Sequence, residues 1–87
     1  MTFSHALEQL KIGKPVARAG WNGKGMWLYL VKREDYANYG VTPTFETLSP
    51  IYDYDIEPFI GMKTADNKFV RWLASQTDIL ADDWSVV

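Results

Sequence analysis

The clearest pattern of apolar and polar positions lies at the start of the chain. Apolar side chains recur there at the spacing of one stripe on an α-helix, namely Phe3, Ala6, Leu7 and Leu10. Thr2 can cap the N-terminal end of such a helix, and Gly13 can end it, with Pro15 just beyond. This pattern predicts an amphipathic helix over residues 2–11.

Shorter apolar runs predict β-strands in the rest of the chain, at residues 16–18, 26–31, 59–63, 69–72 and 84–87. Residues 26–31 are apolar on both faces, as in a strand that is central or lies under an interface. Between the third and fourth runs, Asp66 and Asn67 can take the positive φ angles of a tight turn, so these runs predict a hairpin.

A second, short helix is predicted over residues 75–81, with Thr77 as its N-cap and Asp78 in its first turn. Residues from about 32 to 58 show no sustained period, and we expect a long, partly ordered loop there. The aromatic content of this loop favours a functional role. The whole pattern predicts a small single α+β domain over residues 1–87, with the N-terminal helix packed on an antiparallel sheet of four or five strands.

The composition suggests that this domain does not stand alone. A chain of 87 residues buries a modest share of its surface, and it has no cysteine to form a disulfide or a thiolate metal site. It carries four Trp, five Tyr and four Phe. Each buried aromatic side chain removes about 150–250 Å² from water, so this set exceeds what one small core needs. We therefore expect a homo-oligomer in which some aromatic side chains face a partner subunit or a ligand.

The charge and hydropathy exclude other classes. A net charge of −2 disfavours general nucleic-acid binding, which needs a basic surplus, but permits one anionic small molecule at a local cluster. No apolar run approaches the roughly 18 residues of a membrane span, and the first residues lack a signal-peptide pattern. We expect a cytosolic protein without a membrane partner.

Catalytic and metal sites find little support in the sequence. A single histidine, His5, lies beside the apolar stripe of the first helix, and no cysteine is present. Two close carboxylate pairs, Asp53 with Asp55 and Asp82 with Asp83, could hold a cation, but neither has the ligand count of a dedicated site. We interpret them as solvated loop acids and expect no catalytic residue, metal or cofactor.

Two polar segments are candidate ligand sites. Residues 20–25 contain three glycines, which let backbone N–H groups approach an anion, and Lys24 adds a charge there with Arg18 close by. Trp21 in this segment either covers a ligand or folds back into the core, and spacing alone leaves both interpretations open. In residues 72–78, four polar side chains follow Trp72 at a helix start, which suits ribose hydroxyls and base edges or forms an ordinary N-cap.

Three stretches taken together, residues 16–26, 62–66 and 72–84, make the chain recognisable. Arg-x-Gly-Trp-Asn-Gly-Lys-Gly-Met, paired with Trp-x-x-Ser-Gln-Thr-Asp, resembles the second type of Thoeris anti-defence protein, found in phages and prophages. The resemblance leaves out only the loop from about 32 to 58. It implies a sponge that binds a cyclic ADP-ribose isomer made by a TIR-domain defence protein, as a homotetramer with ligand between protomers. Some members of that family also bind cyclic dinucleotides at separate sites.

This resemblance gives the candidate residues their roles. We expect Trp21 to stack on adenine or close the pocket, since three neighbouring glycines make its loop a poor anchor for a core side chain. Asn22 would bond polar ligand groups beside Gly23 and Met26. The pyrophosphate would contact Lys24, Arg18 and Arg71, although either arginine could instead form a strand-face ion pair. The hydroxyls of ribose would be read next to Trp72 by a polar set: Ser75, Gln76, Thr77 and Asp78.

Two other function classes stay open at this point. A phage protein-interaction module could inhibit a host protein by surface contact, using the same aromatic side chains without a small-molecule pocket. An enzyme that processes NAD is disfavoured, because no candidate nucleophile or base has a partner in the sequence. The site of action expected from the resemblance is the cytoplasm of the infected bacterial host.

Overall fold

The computed structural model describes residues 1–32, 35 and 57–87. The elements in these ranges are α1 (Phe3–Lys11), β1 (Val16–Arg18), a 3₁₀ turn (Ala19–Trp21), β2 (Trp27–Val31), β3 (Phe59–Lys63), β4 (Phe69–Arg71), α2 (Gln76–Leu80) and β5 (Trp84–Val86). Apart from its ends and residue 35, the loop predicted between residues 32 and 58 lies outside the described residues.

The five described strands form one sheet in the order β4-β3-β2-β1-β5, and every neighbouring pair is antiparallel. Strand β1 pairs with both β2 and β5, so the first and last strands of the chain lie side by side in the sheet. The prediction of an α+β domain with an N-terminal helix on an antiparallel sheet is confirmed, and the sheet has the larger of the two expected strand numbers. Neither described helix has the length and apolar character needed to cross a bilayer.

The core lies between α1 and one face of the sheet. Val16, Leu28 and Met62 occupy directly opposite register positions on neighbouring strands, and opposite residues share a face. The buried cluster on this face consists of Ala6, Leu10, Val16, Leu28 and Trp84. Burial of one side chain as large as Leu28 stabilises the fold by about 1.5–3 kcal/mol, so this cluster explains why the apolar stripe of α1 packs here.

The other face of the sheet carries aromatic and cationic side chains: Trp27, Tyr29, Phe59, Lys63, Phe69 and Arg71. The rings of Trp27 and Phe69 lie with centroids 6.3 Å apart. The Arg71 guanidinium carbon lies 3.9 Å from the centre of the Phe59 ring, in a cation–π contact. Because α1 and α2 both pack on the core side, neither of these two helices covers this second face.

The ends of α1 are set by the residues that the sequence predicted. The Thr2 hydroxyl accepts the His5 N–H at 3.4 Å, which caps the first turn. At the other end, Gly13 takes a φ of +90°, and the N–H groups of Gly13 and Lys14 donate to the carbonyls of Leu10 and Gln9 at 3.0 Å. These paired bonds form a Schellman motif, which favours glycine at the left-handed position.

The N-cap predicted for the second helix is wrong. Helix α2 begins at Gln76, and the cap is Ser75, whose hydroxyl accepts the Asp78 N–H at 3.1 Å. Thr77 lies inside the helix, while Asp78 is in the first turn as predicted. Serine is a somewhat better N-cap than threonine, so the local preference agrees with the observed cap. The choice follows from contacts that hold Asp78, described below.

The hairpin between β3 and β4 is confirmed, with one change in its turn. Asn67 has a φ of 64°, as expected, but Asp66 is not in the positive-φ region. The Thr64 carbonyl accepts the Asn67 N–H at 3.0 Å, and Thr64 pairs with Lys68 through backbone and hydroxyl. This is a three-residue hairpin loop, in which only the last residue needs a left-handed conformation.

Candidate ligand-binding site

The first predicted site segment, residues 20–25, forms a tight loop between β1 and β2, hereafter the binding loop. Three of its residues have positive φ angles: Asn22 at 59°, Gly23 at 65° and Gly25 at 72°. The Asn22 N–H donates to the Ala19 carbonyl at 3.0 Å, and Lys63 donates to the Gly25 carbonyl at 2.9 Å. The glycines of this segment therefore permit a compact turn with φ angles in the left-handed region.

A different constraint applies to Gly20, at the start of the binding loop. A Cβ atom at this position would lie 3.0 Å from Nη2 of Arg18 and 3.1 Å from Oδ2 of Asp83. The Gly20 N–H donates to that same Oδ2 at 2.8 Å. Glycine therefore lets the loop backbone lie directly against a charged pair.

That charged pair belongs to a three-residue cluster of Arg18, Asp78 and Asp83, hereafter the clamp. Arg18 Nε donates to Asp83 Oδ1 at 2.8 Å, and Arg18 Nη1 donates to Asp78 Oδ1 at 2.7 Å. The three side chains are 16%, 17% and 30% exposed for Arg18, Asp78 and Asp83 respectively. The clamp thus joins the first site segment to the second, across a separation of 60 residues between Arg18 and Asp78.

The pKa values of the clamp follow from these bonds. The hydrogen bond from Arg18 lowers the pKa of the Asp83 carboxyl below its ordinary value, and the Gly20 N–H acts in the same direction. Hydrogen bonds to Asp83 and then to Asp78 raise the pKa of the Arg18 guanidinium. Arg18 and Asp83 therefore hold each other in the charged form.

The Trp21 side chain packs against the core. This differs from the expectation that its glycine-rich loop is a poor anchor for a core side chain. Its ring meets the buried Trp84 ring edge-on, with centroids 5.3 Å apart. The glycines shape the backbone but do not prevent the side chain from turning inward, since Trp84 offers it a large apolar partner. The ring remains only partly buried. Its predicted stacking on a ligand base stays a prediction.

Trp72, from the second site segment, packs around the same residue. Its ring centroid lies 6.1 Å from that of Trp84 and 5.7 Å from that of Phe3. Trp84 also donates its Nε1–H to the Asp78 carbonyl at 3.0 Å. One buried tryptophan therefore supports both predicted site segments, one through Trp21 and the other through Trp72 and α2.

The predicted site residues differ in what they leave accessible. Asn22, Gly23 and Lys24 are exposed on the binding loop, and Met26 is partly buried behind it. Ser75, Gln76 and Thr77 are exposed at the start of α2, although the Ser75 hydroxyl already serves as the cap. Lys24 forms no ion pair with any other residue that the structure describes.

Arg71 lies apart from this group within one chain. Strand register places it opposite Gly61, one position out of phase with Val70, so it belongs to the second face of the sheet. Its guanidinium lies on Phe59.

Sequence reasoning missed Asp83 and Trp84 as site-supporting residues. Asp83 was interpreted as a solvated loop acid, and this is wrong, because its carboxylate accepts hydrogen bonds from Arg18 and Gly20. Both residues fall inside the third stretch that carries the family resemblance, which was the available signal. Within residues 1–32, 35 and 57–87, no three His, Asp or Glu side chains lie together as a potential metal site.

Comparisons with known proteins agree over the whole chain. A family model described as the Thoeris anti-defense 2-like domain matches residues 1–87. Thoeris anti-defense 2 of Bacillus phage SP01 is 44% identical to this chain over 92 residues, covering 100% of this chain and 94% of that protein. The family resemblance of the three stretches is thereby confirmed.

Proposed function

This chain belongs to the Thoeris anti-defense 2-like family, and we propose that it counters Thoeris defence by binding a cyclic ADP-ribose-type signal without cleaving it. The ligand is glycocyclic ADP-ribose, made by a TIR-domain defence protein. Its capture in the cytoplasm of the infected bacterium keeps it from activating the defence effector.

One observation carries this proposal: the two polar segments flank the same buried Trp84 and are joined by the clamp. A cyclic ADP-ribose isomer presents an adenine, two riboses and a pyrophosphate. A partly exposed aromatic ring, amide and hydroxyl side chains, and an unpaired cation are the groups that bind such a ligand. Low-nanomolar capture requires about −12 kcal/mol, which several such contacts supply together.

Arg18 and Lys24 differ in whether their positive charge is already paired, which gives them different roles in this proposal. Arg18 already donates to two carboxylates, so its positive charge is compensated within the chain. Lys24 is exposed and has no carboxylate partner among the described residues. In this proposal Lys24 contacts the pyrophosphate, and Arg18 supports the loop instead.

In this proposal, side chains at the start of α2 bind the ribose hydroxyls. Gln76 and Thr77 are exposed there and their side chains are not used by the cap. Asn22 faces solvent from the binding loop, with its backbone fixed in the left-handed conformation. Trp21 covers the base with the part of its ring that Trp84 leaves exposed.

The protein acts as a homo-oligomer in this proposal, with a tetramer as the expected state and the ligand held between protomers. Support comes from apolar side chains left in solvent on a single chain, since Leu73 is 92% and Leu80 79% exposed. Leu73 lies just before α2 and Leu80 is its last residue, so in this proposal a partner subunit that covers both also lies against the polar start of the helix. Light scattering at micromolar concentration that gives the 10.0 kDa mass of one chain would contradict this assembly.

The decisive experiment is capture followed by release. The purified protein is incubated with the signal made by a TIR-domain protein, freed of unbound ligand, and heated. Recovery of intact signal by mass spectrometry is the expected result. A chemically altered signal would instead indicate an enzyme, and no uptake would favour the alternative of a protein-interaction module that inhibits a host protein. A parallel incubation with cyclic dinucleotides tests whether a second class of ligand binds.

A further inference from the structure

Asp83 connects the beginning of the binding loop to the segment that leads into β5. Its Oδ2 accepts the Gly20 N–H at 2.8 Å, while its backbone carbonyl accepts the Ala19 N–H at 3.1 Å. Its Oδ1 accepts from Arg18, the last residue of β1. Consecutive backbone N–H groups at the start of the loop are therefore held by a single residue 63 positions away from Gly20.

We propose that Asp83 is a positioning residue for ligand capture, which fixes the binding loop in the conformation that presents Asn22 and Lys24. This inference rests on the proposed function of the site. Asp83 acts through the loop and through Arg18, whose donors occupy its carboxylate, and it does not itself contact the ligand.

The loop needs such an anchor because its internal bonds are few. Within it, the Lys24 N–H donates to the Trp21 carbonyl at 3.4 Å, near the upper limit for a hydrogen bond. Gly23 and Gly25 have positive φ angles, and each would reach other conformations freely without outside support. The short bonds that hold the loop come from outside it: at its start the Gly20 N–H donates to Asp83 at 2.8 Å, and at its end the Gly25 carbonyl accepts from Lys63 at 2.9 Å.

Charge and position predict opposite effects for the removal of the Asp83 carboxylate. A negative charge near a pyrophosphate weakens its binding, so simple electrostatics predicts tighter capture once the charge is removed. Loss of the anchor predicts weaker capture, because the loop leaves its binding conformation. The sign of the change in affinity therefore distinguishes a positioning role of Asp83 from a purely electrostatic effect.

The test compares Asp83→Asn with Asp82→Asn, a matched control that removes the same charge one residue away from an exposed side chain. Affinity for the TIR-made cyclic ADP-ribose isomer is measured by calorimetry, together with melting temperature and oligomer mass. We expect Asp83→Asn to bind about ten-fold more weakly, as when the binding conformation is populated about a tenth of the time. We expect Asp82→Asn to bind as tightly as the parent chain, or more tightly.

A second variant approaches the same contact from the loop and keeps every charge. In Gly20→Ala the new methyl group would press on Arg18 and Asp83 at 3.0 and 3.1 Å, so the neighbours must shift. We expect weaker capture here as well, with the sheet and α1 intact by circular dichroism. The Gly20 amide resonance of Asp83→Asn, recorded without ligand, reports directly on the lost hydrogen bond.

Each outcome has a definite meaning. If the parent chain binds the signal and Asp83→Asn binds it equally well, Asp83 has no positioning role. The same holds if Asp83→Asn melts earlier but its folded fraction keeps the parent affinity. If the parent chain takes up no signal at all, the proposed function itself fails, and that failure is seen before any variant is made.

Discussion

Two polar turns of this chain each contain an asparagine with a left-handed φ angle, Asn67 in the hairpin turn and Asn22 in the binding loop. The hairpin turn is closed by Thr64, which pairs with Lys68 only four residues later. The start of the binding loop is held by Asp83, which lies 63 residues from Gly20. Similar backbone conformations are thus held by local bonds in one turn and by distant bonds in the other.

This difference has a consequence for function. A turn held by its own residues depends less on the core than a turn held by distant residues, which needs the assembled fold. Changes near the core should therefore reach the binding loop and spare the hairpin turn. The hairpin also supplies control positions with the same residue types, which makes the comparison experimentally sharp.

The largest effect is expected for Trp84→Ala. Trp84 is 2% exposed and contacts Trp21, Trp72 and the Asp78 carbonyl. Removal of a buried tryptophan costs about 3–5 kcal/mol of unfolding free energy, which for a domain this small abolishes most of its stability. Urea unfolding at fixed protein concentration measures it. Phe69→Ala, beside the hairpin turn and half exposed, should cost clearly less, and equal costs would contradict the comparison.

Trp21→Ala is expected to affect both stability and capture. The melting temperature should fall, because the ring packs on Trp84. A partly buried tryptophan should cost about 2 kcal/mol, roughly half of the cost for a buried one. Loss of stacking on a base should remove about 1–3 kcal/mol of binding free energy in addition. Calorimetry on the folded protein that found undiminished affinity would make Trp21 purely structural.

Lys24→Ala and Lys68→Ala form a matched pair of exposed lysines, one in each turn. If Lys24 contacts the pyrophosphate, its removal should weaken capture roughly 10- to 150-fold, the range for a charge-assisted hydrogen bond. Melting temperature and oligomer mass should not change. Lys68→Ala should bind like the parent chain, and a similar loss in both variants would point to general electrostatics in place of a specific contact.

The smallest effect is expected from acidification. Arg18 holds the pKa of Asp83 below its ordinary value, and the Thr64 hydroxyl does the same for Asp66 in the hairpin turn. A carboxyl with a lowered folded-state pKa stabilises the fold above its unfolded value of about 3.9, and this contribution is lost as pH falls through the folded-state value. Stability should therefore decline below about pH 4, where the unfolded chain takes up protons.

Two variants test how much of this acid dependence comes from Asp83 and how much from Asp66. Asp83→Asn and Asp66→Asn should each flatten the fall in unfolding free energy at low pH, measured by urea unfolding across a pH series. Only Asp83→Asn should at the same time weaken capture at neutral pH, because only Asp83 anchors the binding loop. An unchanged acid dependence in Asp83→Asn would mean that its bond to Arg18 does not persist in solution.

Much of the fold could be predicted from the sequence because its signals are local. The stripe of α1, its Thr2 cap and its Gly13 end involve residues within a few positions of each other. The hairpin and the strand segments follow from alternation and turn chemistry at the same short range. The two polar segments proposed as the candidate site were also identified in this way, since their residue types stand out without any knowledge of their neighbours.

The tertiary structure alone decided how those segments meet. Residue types do not specify that Arg18 would pair with Asp78 and Asp83, that Trp21 would turn toward Trp84, or that Arg71 would lie on the other face. Each of these depends on strand order and register, and a shift of one residue in register moves a side chain to the opposite face. Local patterns therefore determined the elements and the chemistry of this chain, while contacts between its two ends determined the arrangement of the site.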